Sequence, residues 1–216
     1  MSGPVSAFHL LQGIRALPVV AIEDVEDAVP LADALAAGGL TAIEVTLRTA
    51  AAFDAIARLQ KERPKLLIGA GTITTAAQMK KCAALGVKFA VSPGITPALL
   101  EVGLELKMPY LPGTATASDV MLGIQYGWSE FKFFPAEAAG GTGMLKSWQG
   151  PFPDLRFCPT GGVTPQNAGH YLALSNVVMV GSSSMLPADA VKRKDWAEIA
   201  KRSHGFTDAL AGISHA

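Results

Sequence analysis

The sequence predicts an α/β protein built as a (β/α)8 TIM barrel with an extra N-terminal helix, and three observations lead there. Short β-rich segments alternate with helical ones from end to end, the alternation makes eight units, and every unit ends in polar or glycine-rich residues. Unbroken βα alternation calls for a parallel sheet, and eight parallel strands close into a barrel whose site lies at the carboxyl ends of the strands. An open doubly wound sheet is the alternative fold, but no Gly-x-Gly-x-x-Gly follows the first strand.

In order along the chain, Val5–Arg15 is expected as the extra helix, closing the barrel floor. Strand one follows at Ala16–Ile22, and its helix, Asp24–Ala37, stops at Gly38-Gly39, residues suited to the left-handed turn that ends a helix. Strand two, Thr41–Arg48, leads to a helix at Ala50–Glu62, and strand three, Leu66–Thr72, to one at Thr74–Leu85 stopped by Gly86. Strand four, Phe89–Gly94, precedes the helix Thr96–Leu106, where Thr96 caps and Pro97 presets the first turn. Strand five, Pro109–Ala115, is followed by Ser118–Tyr126, and strand six, Glu130–Ala136, by Thr142–Trp148. Strand seven, Arg156–Gly162, has the same Thr-Pro start on its helix, Pro165–Ala173 behind Thr164. Strand eight is Val177–Ser183, and the last helix runs from about Lys194 to Leu210.

Composition fits one domain spanning 1–216. Half of the 216 residues are hydrophobic, enough for a sizeable core. Eighteen basic residues cancel eighteen acidic ones with no Lys/Arg-rich run, so neither nucleic acid nor an anionic membrane is an expected partner. The first thirteen residues lack a basic start and a cleavage site, and runs such as Ala16–Ile22 are too short to cross a bilayer, so a cytoplasmic protein is expected. Cys82 and Cys158 form no CxxC and read as buried small apolar groups. His9, His170, His204 and His215 are scattered, which signals no metal site.

The strand ends carry the chemistry. Strand two places Ile43, Val45 and Leu47 on one face and Glu44, Thr46 and Arg48 on the other. The helix-covered face must be apolar, so the polar face looks into the barrel. There Glu44 and Arg48 either pair with each other or await a ligand. Strand three ends Gly69-Ala70-Gly71-Thr72, glycines that let a ligand approach beside a hydroxyl. Ser92-Pro93-Gly94 and Pro112-Gly113-Thr114 end strands four and five and can be simple turns. Pro159-Thr160-Gly161-Gly162-Val163 and Val180-Gly181-Ser182-Ser183-Ser184 fall where barrels bind phosphate through backbone N–H groups. Either loop alone reads as a turn, but two on adjacent strands favour a phosphate site.

Strand six, Glu130-Phe131-Lys132-Phe133-Phe134-Pro135-Ala136-Glu137, sets a lone lysine among three phenylalanines. Phe131 and Phe133 point one way, Lys132 and Phe134 the other. Such a lysine either snorkels from the strand end to solvent or is desolvated. In the second case the ammonium loses stability relative to the free amine, and a nucleophile for a carbonyl substrate results.

Taken together, Glu44-Val45-Thr46-Leu47-Arg48-Thr49, Gly69-Ala70-Gly71-Thr72, Ser92-Pro93-Gly94, Phe131–Glu137, Pro159–Gly162 and Val180–Ser183 resemble the 2-keto-3-deoxy-6-phosphogluconate (KDPG) aldolase family over nearly the whole chain. The resemblance implies a class I, cofactor-free and metal-independent aldolase of the Entner–Doudoroff route, barrel-shaped and usually homotrimeric. It makes Lys132 the Schiff-base lysine and Glu44 the acid/base. It lines the pyruvyl pocket with Arg48, Thr72, Pro93 and Phe134, puts Thr160 near the substrate hydroxyls, and gives the phosphate to Gly161, Gly162 and Ser183. Ser182 and Ser184 depart from the family, where a second glycine and a tryptophan are expected.

Three other readings compete. Cleavage of 4-hydroxy-2-oxoglutarate, or of the galactonate-derived epimer, shares the pyruvyl half of the substrate. A barrel lysine beside a phosphate loop could hold pyridoxal phosphate, which visible absorbance would reveal. A sugar-phosphate binder without turnover is the non-enzymatic reading, for which a buried Lys-Glu-Arg set is a costly construction.

Overall fold

Among the described residues, 3–213 of a computed structural model, every strand pairing is parallel. One sheet contains β1 (Ala16–Val20), β2 (Ala42–Thr46), β3 (Leu67–Gly71), β4 (Phe89–Val91), β5 (Tyr110–Leu111) and β9 (Val180–Ser182), in the order β5-β4-β3-β2-β1-β9. A second contains β6 (Gly113–Thr114), β7 (Glu130–Phe133) and β8 (Arg156–Pro159), in that order. The last strand returns to lie beside the first, so the larger sheet is curled; a doubly wound order would reverse at the first strand instead.

The strand expected over Pro109–Ala115 is split into β5 and β6 at Pro112. Proline has no N–H to continue a ladder. Its carbonyl still serves, accepting from the Lys132 N–H at 2.9 Å. At the other seam, isolated parallel bridges join Phe157 to Val177 and Thr160 to Gly181. The expected last strand is correspondingly shorter, since Val177 makes only that bridge.

Helices lie between the strands at α2 (Ala28–Ala37), α3 (Ala52–Glu62), α4 (Ala76–Ala84), α5 (Pro97–Glu105), α6 (Ala117–Gln125), α7 (Gly141–Trp148) and α8 (Pro165–Leu172), with α10 (Trp196–Leu210) last. Thr96 accepts from the Leu99 N–H at 3.3 Å with Pro97 in the first turn, as expected. A short helix, α9 (Ala188–Lys192), begins after Pro187 and has no counterpart among the expected elements. Within Val5–Arg15, helix is confined to one turn, α1 (Ala7–Leu10). Glu130 of β7 anchors it, accepting from the Ala7 and Phe8 N–H groups at 2.8 and 3.0 Å.

Two apolar clusters result from strand alternation. Ile43, Val45, Ile68, Ala70, Ala90, Phe131 and Phe133 face the helices. Ala42, Phe89, Val91, Leu111, Cys158 and Met179 face the other way and meet Phe8 and Leu11 of the amino-terminal segment. The residues of β2 and β7 that share this second face toward their carboxyl ends are polar: Glu44, Thr46 and Lys132, all buried. An apolar floor therefore underlies a polar end.

Candidate active site

Lys132 and Glu44 meet inside the curl. The lysine is 5% exposed and the glutamate 1%, and Lys132 Nζ donates to Glu44 Oε1 at 3.2 Å. Snorkelling is thereby excluded for Lys132. The Phe134 ring lies beside the ammonium, its centroid 5.1 Å from Nζ. Water is kept off an amine that has one carboxylate to exchange a proton with.

The sequence allowed Glu44 to pair with Arg48, and the structure corrects that partner. Arg48 is the exposed residue past the end of β2, because the strand stops at Thr46 and the alternation that would have buried position 48 stops with it. Thr46 is buried and donates to the Val20 carbonyl at 2.9 Å. Room for the carboxylate comes from β3. A Cβ on Gly71 would lie 2.0 Å from Glu44 Oε1, and one on Gly69 would lie 2.2 Å from the Phe89 ring. These glycines admit the protein's own side chains, where the sequence suggested room for a ligand.

The remaining expected residues form the rim. Thr72 is half-buried at a positive φ of 58° directly after β3, and half-buried Pro93 follows β4. Thr160 is buried beyond β8 and presses on Gly181, where a Cβ would be 2.2 Å from its Oγ1. Gly161 and Gly162 adopt φ of 101° and 79°, the left-handed region that favours glycine. A Cβ on Gly161 would come within 3.4 Å of Phe134 Cδ2, which puts this turn against the aromatic wall of Lys132. Ser183 is exposed and, with Arg48, Glu23, Asp27 and Lys192, lines a cleft of about 440 Å³.

Two other features bear on chemistry. Cys158 is buried in the floor below this site, and burial pushes its thiol up to about 12, against a smaller opposing pull from Lys132; Cys82 is likewise pushed up to about 11. Both are poor nucleophiles. A second cleft of about 410 Å³ sits at the opposite ends of β2 and β3, walled by Ala32, Ala36, Leu40 and Leu66, with Asp33 and Arg63 bonded to each other at its edge. It offers no group poised for reaction. Among the described residues no cluster of three or more His, Cys, Asp or Glu could hold a metal ion, and no helix is long and apolar enough to cross a membrane. Sequence reading missed the buried contact between the Ser92 and Tyr110 hydroxyls, 2.6 Å apart behind Pro93. A polar residue ending an inward-facing strand was its only signal.

A family model described as KDPG and KHG aldolase matches residues 9–202. The chain is 50% identical over 202 residues to the 2-dehydro-3-deoxy-phosphogluconate aldolase of Pseudomonas aeruginosa, covering 94% of this chain and 92% of that one. Against the KHG/KDPG aldolase of Escherichia coli K12 the identity is 46% over 196 residues, 91% of this chain and 92% of that one. Among solved structures, KDPG aldolase from Legionella pneumophila, with pyruvate captured at low pH as a covalent carbinolamine intermediate, has a TM-score of 0.90 at 43% identity, covering 94% of this chain and 98% of that one.

Proposed function

The chain belongs to the KDPG and KHG aldolase family, and on that premise we propose that Lys132 and Glu44 carry its reaction. The protein is a class I aldolase that reversibly cleaves 2-dehydro-3-deoxy-6-phosphogluconate to pyruvate and D-glyceraldehyde 3-phosphate. The observation that supports the two residues is their buried 3.2 Å contact beside Phe134.

Glu44 takes a proton from the Lys132 ammonium, and the free amine attacks the C2 ketone. The carbinolamine loses its hydroxyl as water, with Glu44 supplying the proton, and an iminium results. Removal of the C4 hydroxyl proton breaks C3–C4, the electrons of that bond pass to the iminium, and glyceraldehyde 3-phosphate leaves an enamine behind. Glu44, the carboxylate touching Nζ, is placed to move these protons. Protonation of the enamine at C3 and hydrolysis release pyruvate and restore the amine.

Around this pair, Arg48 and Thr72 hold the substrate carboxylate, Arg48 by a charge-assisted contact. Pro93 and Phe134 wall the pyruvyl group, Thr160 serves the substrate hydroxyls, and Gly161, Gly162 and Ser183 receive the phosphate. The left-handed glycines of the β8 turn and the place of Ser183 and Arg48 in one cleft support this division. The same reading takes 1–216 as one closed (β/α)8 barrel over the amino-terminal helix, with the Pro112 junction and the Thr160–Gly181 bridge as its seams. It takes the assembly as a homotrimer, for which Met121 and Ile124, exposed one turn apart on α6, offer an apolar patch. The compartment is the cytoplasm, where a phosphorylated substrate is retained.

Activity on 4-hydroxy-2-oxoglutarate is favoured as a second capacity by one observation. Ser182 Oγ accepts from the Ser184 N–H at 3.1 Å and donates to the Val163 carbonyl at 2.6 Å, which takes one loop N–H away from a phosphate.

Borohydride added with pyruvate tests the assignment. The expected result is one reduced adduct on the peptide carrying Lys132. An adduct on Lys107 or Lys146 instead would remove it.

A further inference from the structure

We propose that Ser92 and Tyr110 are positioning residues for this reaction, their buried hydroxyl pair fixing the Pro93 wall relative to Lys132. The inference rests on the assignment of Lys132 as the Schiff-base lysine.

Ser92 directly follows β4 and Tyr110 opens β5, at 0% and 1% exposure. Three contacts converge on Ser92 Oγ: Tyr110 OH at 2.6 Å, the Gly94 carbonyl at 2.5 Å and the Gly113 N–H at 3.3 Å. A serine has one hydroxyl proton and a carbonyl only accepts. All three contacts are satisfied in one arrangement: Tyr110 O–H and Gly113 N–H donate to Ser92 Oγ, and Ser92 O–H donates to Gly94. Burial holds the Tyr110 phenol above its usual range, so its proton is available for donation throughout neutral pH. The ring is fixed in turn by Trp128, which meets it edge-on at 5.8 Å between centroids and donates its indole N–H to the Tyr110 carbonyl at 3.0 Å.

These contacts end on the catalytic strand. Gly113 is the register partner of Lys132. A Cβ on Gly113 would lie 2.4 Å from the Pro93 carbonyl carbon and 2.5 Å from its oxygen, so the backbone after β4 rests directly on β6 with no side chain between. One hydroxyl thus holds the Pro93 turn at both sides, to Gly94 within the turn and to Gly113 beside Lys132. A buried serine that served only its own polarity would need one of those partners. Ser92 joins the two segments whose separation sets how closely Pro93 approaches the lysine.

The test measures, in one preparation of each protein, the pyruvate concentration giving half-maximal borohydride inactivation and the thermal midpoint. Ser92→Ala is expected to raise the half-saturating pyruvate about tenfold, since loss of this one buried hydroxyl leaves its three partners unpaired. Tyr110→Phe removes the outer donor alone and should raise it by roughly two- to threefold. Ser92→Thr keeps the hydroxyl and should return the value toward that of the unaltered protein. Every variant should still be modified on Lys132 at saturating pyruvate. Ser92→Ala and Tyr110→Phe proteins with lower midpoints but an unchanged half-saturating concentration would show that the network only supports the fold, and the proposal would be wrong. If Ser92→Ala does not fold, Tyr110→Phe, which preserves the packing of the ring, decides the matter alone. Absence of a Lys132 adduct in the unaltered protein would instead overturn the assignment on which the inference rests, and that result is visible before any variant is made.

Discussion

Glu44 reaches Lys132 across the space left by Gly71: a Cβ at position 71 would stand 2.0 Å from Glu44 Oε1 and 2.6 Å from its Cδ and Cγ. The carboxylate is 1% exposed and has nowhere open to turn. Gly71→Ala must therefore displace Glu44 or shift β3. Turnover should fall about a hundredfold, the scale of an ångström of misplacement at a reacting group. Stability should fall by about 1–3 kcal/mol from overpacking. Turnover and thermal midpoint measured together check this, and a variant with near-normal turnover would mean that Glu44 need not stand where it does.

The fold was legible because each strand announces two faces. In β2 and β7 the residues Ile43, Val45, Phe131 and Phe133 alternate with Glu44, Thr46 and Lys132, and the period of two places them without any tertiary information. What was not legible depends on distance between segments far apart in sequence. Nothing within strand two says that Glu44 pairs with a lysine 88 positions away rather than with Arg48 four residues on. The two glycines of β3 had the same ambiguity: absence of a side chain says that something approaches, and only the packed structure says that it is Glu44 and Phe89. Pro112 carried its signal openly, since a proline within a strand breaks the ladder, and the split of the fifth strand follows from it.

At the cleft, Ser183→Asp is expected to separate the two substrates. A unit charge at contact distance is worth about 1–4 kcal/mol at partly exposed sites, and Arg48 in the same cleft offsets part of it. The KM for the phosphorylated substrate should still rise about tenfold or more, while 4-hydroxy-2-oxoglutarate, whose chain is shorter and carries no phosphate, should be affected far less. Steady-state kinetics on both substrates check the difference. Equal losses would show that the loop supports the fold and not the phosphate.

The deepest test is Glu44→Gln. Glu44 is the partner of Lys132, so the change leaves a buried ammonium without its counter-charge. A broken buried pair costs on the order of 3–5 kcal/mol when the remaining charge must stay. Lysine need not stay charged: loss of its proton gives a neutral amine that the amide oxygen can still accept a hydrogen bond from. Stability should thus fall by less than that range. Catalysis has no such escape, because the amide keeps the shape but can neither take a proton from the ammonium or the C4 hydroxyl nor give one to the departing hydroxyl of the carbinolamine. Turnover should drop by roughly two to four powers of ten, the usual worth of a positioned acid/base. Lys132 remains in place, so borohydride should still trap the pyruvate adduct, more slowly since forming the imine also moves protons. A purely structural role for Glu44 gives the opposite pattern, a lower midpoint with turnover per folded molecule preserved. Turnover, midpoint and trapping on one preparation distinguish the two, and a well-folded Glu44→Gln protein with near-normal cleavage would place the acid/base on another group.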